Sequence, residues 1–186
     1  MNAVIAVVLI VVVLAAIALG VWLATRRRRS AELREHFGPE YDRAIDEYGA
    51  AGPAERALSE RSERVELLHI QPLSAQQRSR YAAEWHDVQS QFVDAPEAAI
   101  GQADRLIVAV MQARGYPMGD FDQRAADVSV DHPYVVEHYR AAHAIAGRTE
   151  QGAASTEDMR QAMVHYRALF DDLIEAREPA TTEVRR

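Results

Sequence analysis

The sequence predicts an all-α protein: an N-terminal transmembrane helix, then a charged helical stalk, then a compact bundle of about four main helices. Three observations carry that prediction. Ala3 to Ala24 hold no charged residue, and Arg26, Arg27, Arg28 and Arg29 follow almost at once. Beyond Pro72, apolar residues recur three and four apart between helix start and stop signals. No stretch alternates apolar and polar residues between hairpin turns, so no sheet is expected.

The first element is the membrane anchor. A helix of about 20 apolar residues rises far enough to span the roughly 30 Å hydrocarbon core, and it satisfies its own backbone hydrogen bonds there. Val4, Ile5, Val7, Val8, Leu9, Ile10, Val11, Val12, Val13 and Leu14 would be costly to leave in water. Only Asn2 and the amino terminus precede the run, so Arg26 to Arg29 place the amino terminus outside and the rest of the chain in the cytoplasm. Trp22 suits the headgroup layer at that end. A cleaved signal peptide would need a basic segment in front and a shorter core, so an uncleaved signal-anchor is expected. Two roles are open to the arginines: topology alone, or contact with anionic lipid as well, worth about 1 kcal/mol each near the surface. Gly20 stands alone and gives no small-xxx-small seam, so no specific pairing of anchors is expected.

The anchor helix is expected to run to about Glu35, where His36-Phe37-Gly38-Pro39 breaks it. Glu40 to Tyr48 reads as a short helix and Gly49 to Gly52 as a joint. Pro53 then opens a highly charged helix to about Leu68 whose apolar stripe is only Leu58, Val65 and Leu68. These stretches make a stalk or a loosely docked hairpin. In the bundle, Ser74 and Gln77 form a capping box for a helix to about Phe92, with Tyr81, Trp85, Val88 and Phe92 on one face. Asp94, Pro96 and Glu97 start the next helix, which Gly115 and Pro117 end; Ala99, Ala103, Leu106 and Val110 line it. A short turn is expected from Asp120 to about Val128. Asp131 is then expected to cap a helix with Pro133 in its first turn and Val135 or Val136, Tyr139, Ala142 and Ile145 or Ala146 inside. Ser155 and Asp158 make a second capping box, for a helix to about Ala176 built on Met159, Met163, Tyr166, Phe170 and Leu173. The expected divisions are therefore 1–29 anchor and basic flank, 30–72 stalk, 73–177 bundle and 178–186 disordered tail.

Charge and composition bound the function. Four of the 21 basic residues and none of the 28 acidic ones lie in the first 29 positions, leaving 17 against 28, a net charge of −11 on the rest. Such a domain repels phosphate backbones, so nucleic acid is not an expected partner. The absence of cysteine excludes disulfides, iron–sulfur clusters, thiolate zinc sites and cysteine nucleophiles. The absence of lysine excludes a Schiff base and a P-loop lysine.

Candidate chemistry is sparse. His132, His138 and His143 lie six and five residues apart, whereas ligands on one helix need three or four to aim at one ion, so no metal is expected. Asp127, Ser129, Asp131 and His132 gather two carboxylates, a hydroxyl and an imidazole, the ingredients of acid–base chemistry. The same residues are good helix caps, the reading Pro133 favours. Trp85, Tyr81 and Phe92 either line a groove or form plain core. Tyr139 and Tyr166 need hydroxyl partners if buried, for which Asp104 or Asp127 are available. Asp171-Asp172 and Glu157-Asp158 read as solvated or capping acids. No catalytic residue, cofactor or metal ligand is assigned; Arg26 to Arg29 are the one functional set, as topology determinants.

Phe37-Gly38-Pro39-Glu40-Tyr41-Asp42, Phe92-Val93-Asp94-Ala95-Pro96, Arg114-Gly115-Tyr116-Pro117, Ser129-Val130-Asp131-His132-Pro133 and Arg160-Gln161-Ala162-Met163-Val164-His165-Tyr166-Arg167 together resemble an uncharacterised family of bacterial single-span membrane proteins. The resemblance covers nearly the whole chain. It implies an N-terminal anchor and a C-terminal all-helical domain, and no site residue. The expected function is a membrane-anchored interaction or scaffold protein with the lipid bilayer and a protein as partners. The alternatives are an enzyme using the Asp127–His132 loop and an extracytoplasmic helical domain.

Overall fold

Residues 2–175 are described by the structure, a computed structural model; for residues 2–8, 10 and 11 the description is of the helical backbone alone. The tail expected at 178–186 lies outside the described residues. Among those residues are eight helices and no strand: α1 (Asn2–Phe37), α2 (Pro39–Tyr48), α3 (Ala51–Glu66), α4 (Ala75–Gln91), α5 (Pro96–Arg114), α6 (Phe121–Asp131), α7 (Val136–Glu150) and α8 (Thr156–Glu175). The protein is all-α. Among the described residues no helix is long and apolar enough to cross a membrane. Val4, Ile5, Val7, Val8, Ile10 and Val11, much of the apolar run, have side chains outside that description.

The chain forms two units, 1–58 and 59–186, divided within α3. In the first, α1 packs on α2. Gly38, at φ 48, turns the chain between them, where an L side chain would be strained. This unit buries Phe37, Tyr41, Ala44, Ala54 and Leu58. The Tyr41 hydroxyl donates to Glu55 Oε1 at 2.8 Å, and the Arg34 guanidinium lies 4.8 Å from the Tyr41 ring centre. Burial, and then the Glu55 carboxylate, raise the Tyr41 pKa, so the phenol stays a donor.

The second unit is a helical bundle. α4 packs on α5, α5 on α7 and α8, α7 on α8, and α6 on α7. The expected faces are buried, apart from Phe92, which caps α4 and is only partly buried: Tyr81, Trp85 and Val88 on α4; Ala99, Ala103, Leu106 and Val110 on α5; Met159, Met163, Tyr166, Phe170 and Leu173 on α8. Trp85 stacks on Phe170 with centroids 4.8 Å apart, so this aromatic set is core and not a groove wall. The Ser74–Gln77 capping box closes in both directions, at 3.2 and 2.9 Å. The unit also takes in residues ahead of Pro72, because Gln71 N–H donates to the Arg114 carbonyl at 2.8 Å and Arg64 reaches Asp127.

Gly115 ends α5 at φ 103, and a Cβ there would lie 2.6 Å from the His69 carbonyl oxygen. Backbone cannot yield as a flexible side chain can, so Gly115→Ala is expected to cost about 1–3 kcal/mol. Gly147→Ala in α7 meets nothing within 4 Å and should stabilise by about 0.4–1 kcal/mol. Thermal unfolding of both variants checks the pair. Equal effects would contradict the reading.

One boundary differs from expectation. α6 does not stop near Val128 but runs through Asp131, and α7 begins at Val136 without a side-chain cap. Packing overrides the local signal: Ala125 and Val128 join the core, and Val130 is buried beside them. The donors expected to need Asp131 are met instead by one carbonyl, since Val135 N–H and Val136 N–H both bond His132 O at 3.2 Å. Asp131 is thus not a helix N-cap, and Pro133 lies in the connection before α7.

Candidate functional site

The segment Asp127–His132 is the last turn of α6 and its C-cap, not a loop. Successive side chains on a helix turn by about 100°, so its polar groups point to separate neighbours. Asp127 is fully buried. Its Oδ1 accepts from Arg64 Nε and Nη2 at 2.9 and 2.8 Å and from Gln123 Nε2 at 2.8 Å. Its Oδ2 has no hydrogen-bond partner among the described residues. The Ser129 hydroxyl donates to its own helix, at the Ala126 carbonyl, 2.7 Å away. Asp131 Oδ2 accepts from the Tyr116 hydroxyl at 2.6 Å. Burial first, and then the Asp131 charge, push the Tyr116 pKa far up, so this phenol is a fixed donor and not a base.

His132 is the hub of the group. Arg114 Nη1 stands 2.9 Å from its Nε2, and Asp172 Oδ2 meets its Nδ1. A guanidinium can only donate, so Nε2 accepts and the proton sits on Nδ1, facing the carboxylate. Arg114, nearly fully buried, also donates to the carbonyls of Leu173 at 3.3 Å and Gln71 at 3.4 Å. This arrangement ties the end of α5 to α8 and to the segment before α4. A histidine acting as general base needs one nitrogen turned to substrate; here both are engaged.

The other two histidines singled out from sequence go elsewhere. His143 stacks on Phe121, with ring centres 3.7 Å apart, and its Nδ1 stands 3.7 Å from Asp104 Oδ1. His138 Nδ1 lies 2.8 Å from His165 Nδ1 on α8. Among the described residues no group of three or more His, Asp or Glu is placed to hold a metal ion. Of the two available acids, Asp104 takes the Tyr166 hydroxyl at 2.9 Å, whereas Tyr139 receives an Arg124 Nε–H at 3.3 Å. Burial, then the Asp104 charge, raise the Tyr166 pKa, so it too remains a donor.

Sequence reasoning missed Arg64, Arg114, Asp172 and His165. A signal existed for two of them, Arg114 and His165, and for the side His138 would face. Arg114 continues the Ile107, Val110, Met111 face; His138 precedes Ala142 and Ile145, and His165 follows Ala162, each at three- or four-residue spacing. Titratable residues in register with a buried face must find partners.

At the start of α8, Ser155 and Asp158 cap reciprocally, through Ser155 N–H to Asp158 Oδ2 at 2.9 Å and Asp158 N–H to Ser155 Oγ at 3.1 Å. Hydrogen bonds from Arg160 and then Gln161 hold the Glu157 carboxyl down from 4.5 to about 2, and the Ser155 hydroxyl lowers Asp158 from 3.8. Both folded pKa values are depressed, so this stabilisation is complete above the unfolded values and disappears as pH falls through the folded ones. Amide protection in the first turn of α8 should therefore drop between pH 4.5 and about 2. Unchanged protection factors at the two pH values would contradict the cap.

A shallow groove of about 360 Å³ runs along α4 and α5, lined by Glu84, Asp87, Gln102 and Arg105 among others. Comparison with protein-family models, curated proteins and solved structures finds no match to this chain.

Proposed function

We propose that the protein is a membrane-anchored helical interaction or scaffold protein, with its amino terminus outside and its helical domain on the cytoplasmic face. The observation that carries this is the exposure of α1. Leu9, Val12, Val13, Leu14, Ile17, Leu19, Val21 and Trp22 are 53–60 % exposed although, at about 100° per residue, they occupy every side of the helix. A helix apolar all round belongs in a protein core or a bilayer, and these side chains are in no core. Trp22 and Arg26 to Arg29 close the run with the aromatic and basic groups that mark a membrane boundary on its cytoplasmic side, and the Arg26 guanidinium lies 5.4 Å from the Trp22 ring centre.

The stalk-and-bundle organisation and the kinship with bacterial single-span membrane proteins belong to the same proposal. The partners are the bilayer and a protein. The net charge of −11 beyond the arginines disfavours nucleic acid. Against an enzyme built on Asp127–His132 stands that Ser129, Asp131, His132 and Oδ1 of Asp127 are each held by a neighbour.

Alkaline carbonate washing of membranes from bacteria expressing the full chain tests the anchor. The protein should stay in the pellet; release into the supernatant would contradict the proposal. Photo-crosslinkers at Val93 and Tyr134, exposed by 82 % and 68 %, test the interaction role. Adducts of defined mass from these positions support it, and none from either argues against it.

A further inference from the structure

We infer that His138 on α7 and His165 on α8 form a two-histidine binding site for a divalent transition-metal ion of square or octahedral preference, with Cu²⁺ and Ni²⁺ as the best fits. The two residues face each other across the α7–α8 packing, their Nδ1 atoms 2.8 Å apart and ring centres 5.1 Å apart at 32°. Imidazole nitrogens bind such ions at about 2.0–2.1 Å, so two of them at right angles stand about 2.9 Å apart; at a tetrahedral angle they stand about 3.3 Å apart. The observed separation therefore matches neighbouring positions of a square or octahedral ion, the geometry of Cu²⁺ and Ni²⁺, more closely than those of tetrahedral Zn²⁺.

Little has to move. In the hydrogen-bonded pair one ring donates from Nδ1 and the other accepts. Binding needs the donor ring to carry its proton on Nε2 instead, and each ring to turn about χ2, a broad torsion in histidine. The helices already hold both Nδ1 atoms together, so the ordering cost of bringing two ligands to one point is met by the fold. Among the described residues no third His, Asp or Glu completes the sphere, which leaves the remaining positions to water. An ion so held clamps α7 to α8 and stabilises the bundle by RT ln(1 + c/Kd), where c is the free ion concentration, so the effect grows with c.

The test is titration of the untagged full chain, in detergent, with Ni²⁺ and separately Cu²⁺. The expected result is one ion per chain with micromolar affinity, Cu²⁺ tighter than Ni²⁺, and a thermal midpoint that rises with metal. His138→Ala and His165→Ala should each weaken binding at least tenfold and abolish the shift in midpoint, while His86→Ala, at an exposed position of α4, changes neither. Far-UV circular dichroism of the metal-free variants confirms the fold, and His165→Gln replaces His165→Ala if the alanine variant fails that check. Equal affinity in wild type and folded His165 variants, or no binding below about 100-fold the expected Kd, would overturn the assignment and leave the pair a hydrogen bond only.

Discussion

Arg64→Ala is expected to destabilise the bundle by about 3 kcal/mol, the lower end of the range for breaking a buried ion pair by removing one partner. The loss comes less from the attraction itself than from what is left behind. Asp127 is fully buried, and two of the three donors to its Oδ1 come from the Arg64 side chain. Without them a carboxylate stays out of water with one amide donor, from Gln123. Arg64 is itself 41 % exposed, so water can enter where it stood, which is why the lower figure applies. The same argument makes the double variant informative. With Asp127→Asn added there is no charge to strand, so Arg64→Ala/Asp127→Asn should be more stable than Arg64→Ala alone. Urea unfolding followed by Trp85 fluorescence, in a Trp22→Phe background, reads the bundle separately from α1. A double variant as unstable as the sum of the two single variants would contradict the buried-charge account.

The second large effect concerns the proposed anchor. Val13→Arg together with Ile17→Arg should move the chain from the membrane pellet to the soluble fraction. An arginine near the centre of a span costs about 2.5–3.5 kcal/mol on insertion scales, and two on one face, four residues apart, cannot both escape to an interface. The control is Val13→Leu with Ile17→Leu, which keeps the length and apolarity and should keep the protein in the pellet. If the arginine variant fractionates like the control, α1 is not held by lipid.

What the sequence made legible was local. The capping boxes at Ser74–Gln77 and Ser155–Asp158, and the left-handed end at Gly115, depend on residues within three or four positions, so spacing alone located α4, α5 and α8. The α6–α7 junction was misread for the opposite reason. Asp131 and Pro133 carry a good local start signal, but burial of Val128 and Val130 and the Tyr116–Asp131 hydrogen bond extend α6 past it. The candidate site was less legible still. Arg64, Asp172 and His165, which meet Asp127, His132 and His138, lie 63, 40 and 27 positions from them, at separations where only the packed bundle decides who meets whom. A cluster that reads as one catalytic loop is, in space, several separate ties: Arg64 to Asp127, Tyr116 to Asp131, and Arg114 through His132 to Asp172. Spacing sends the three histidines along one segment in different directions, and in the structure each meets a different neighbour. It could not show that one of them faces a fourth on α8.

For the proposed anchored chain with its helical domain in the cytoplasm, the decisive measurement is protease accessibility in intact against permeabilised cells. The domain following Arg29 should be protected in intact cells and digested once the membrane is opened. Digestion in intact cells would contradict the orientation set by Arg26 to Arg29 and place the domain on the outer side.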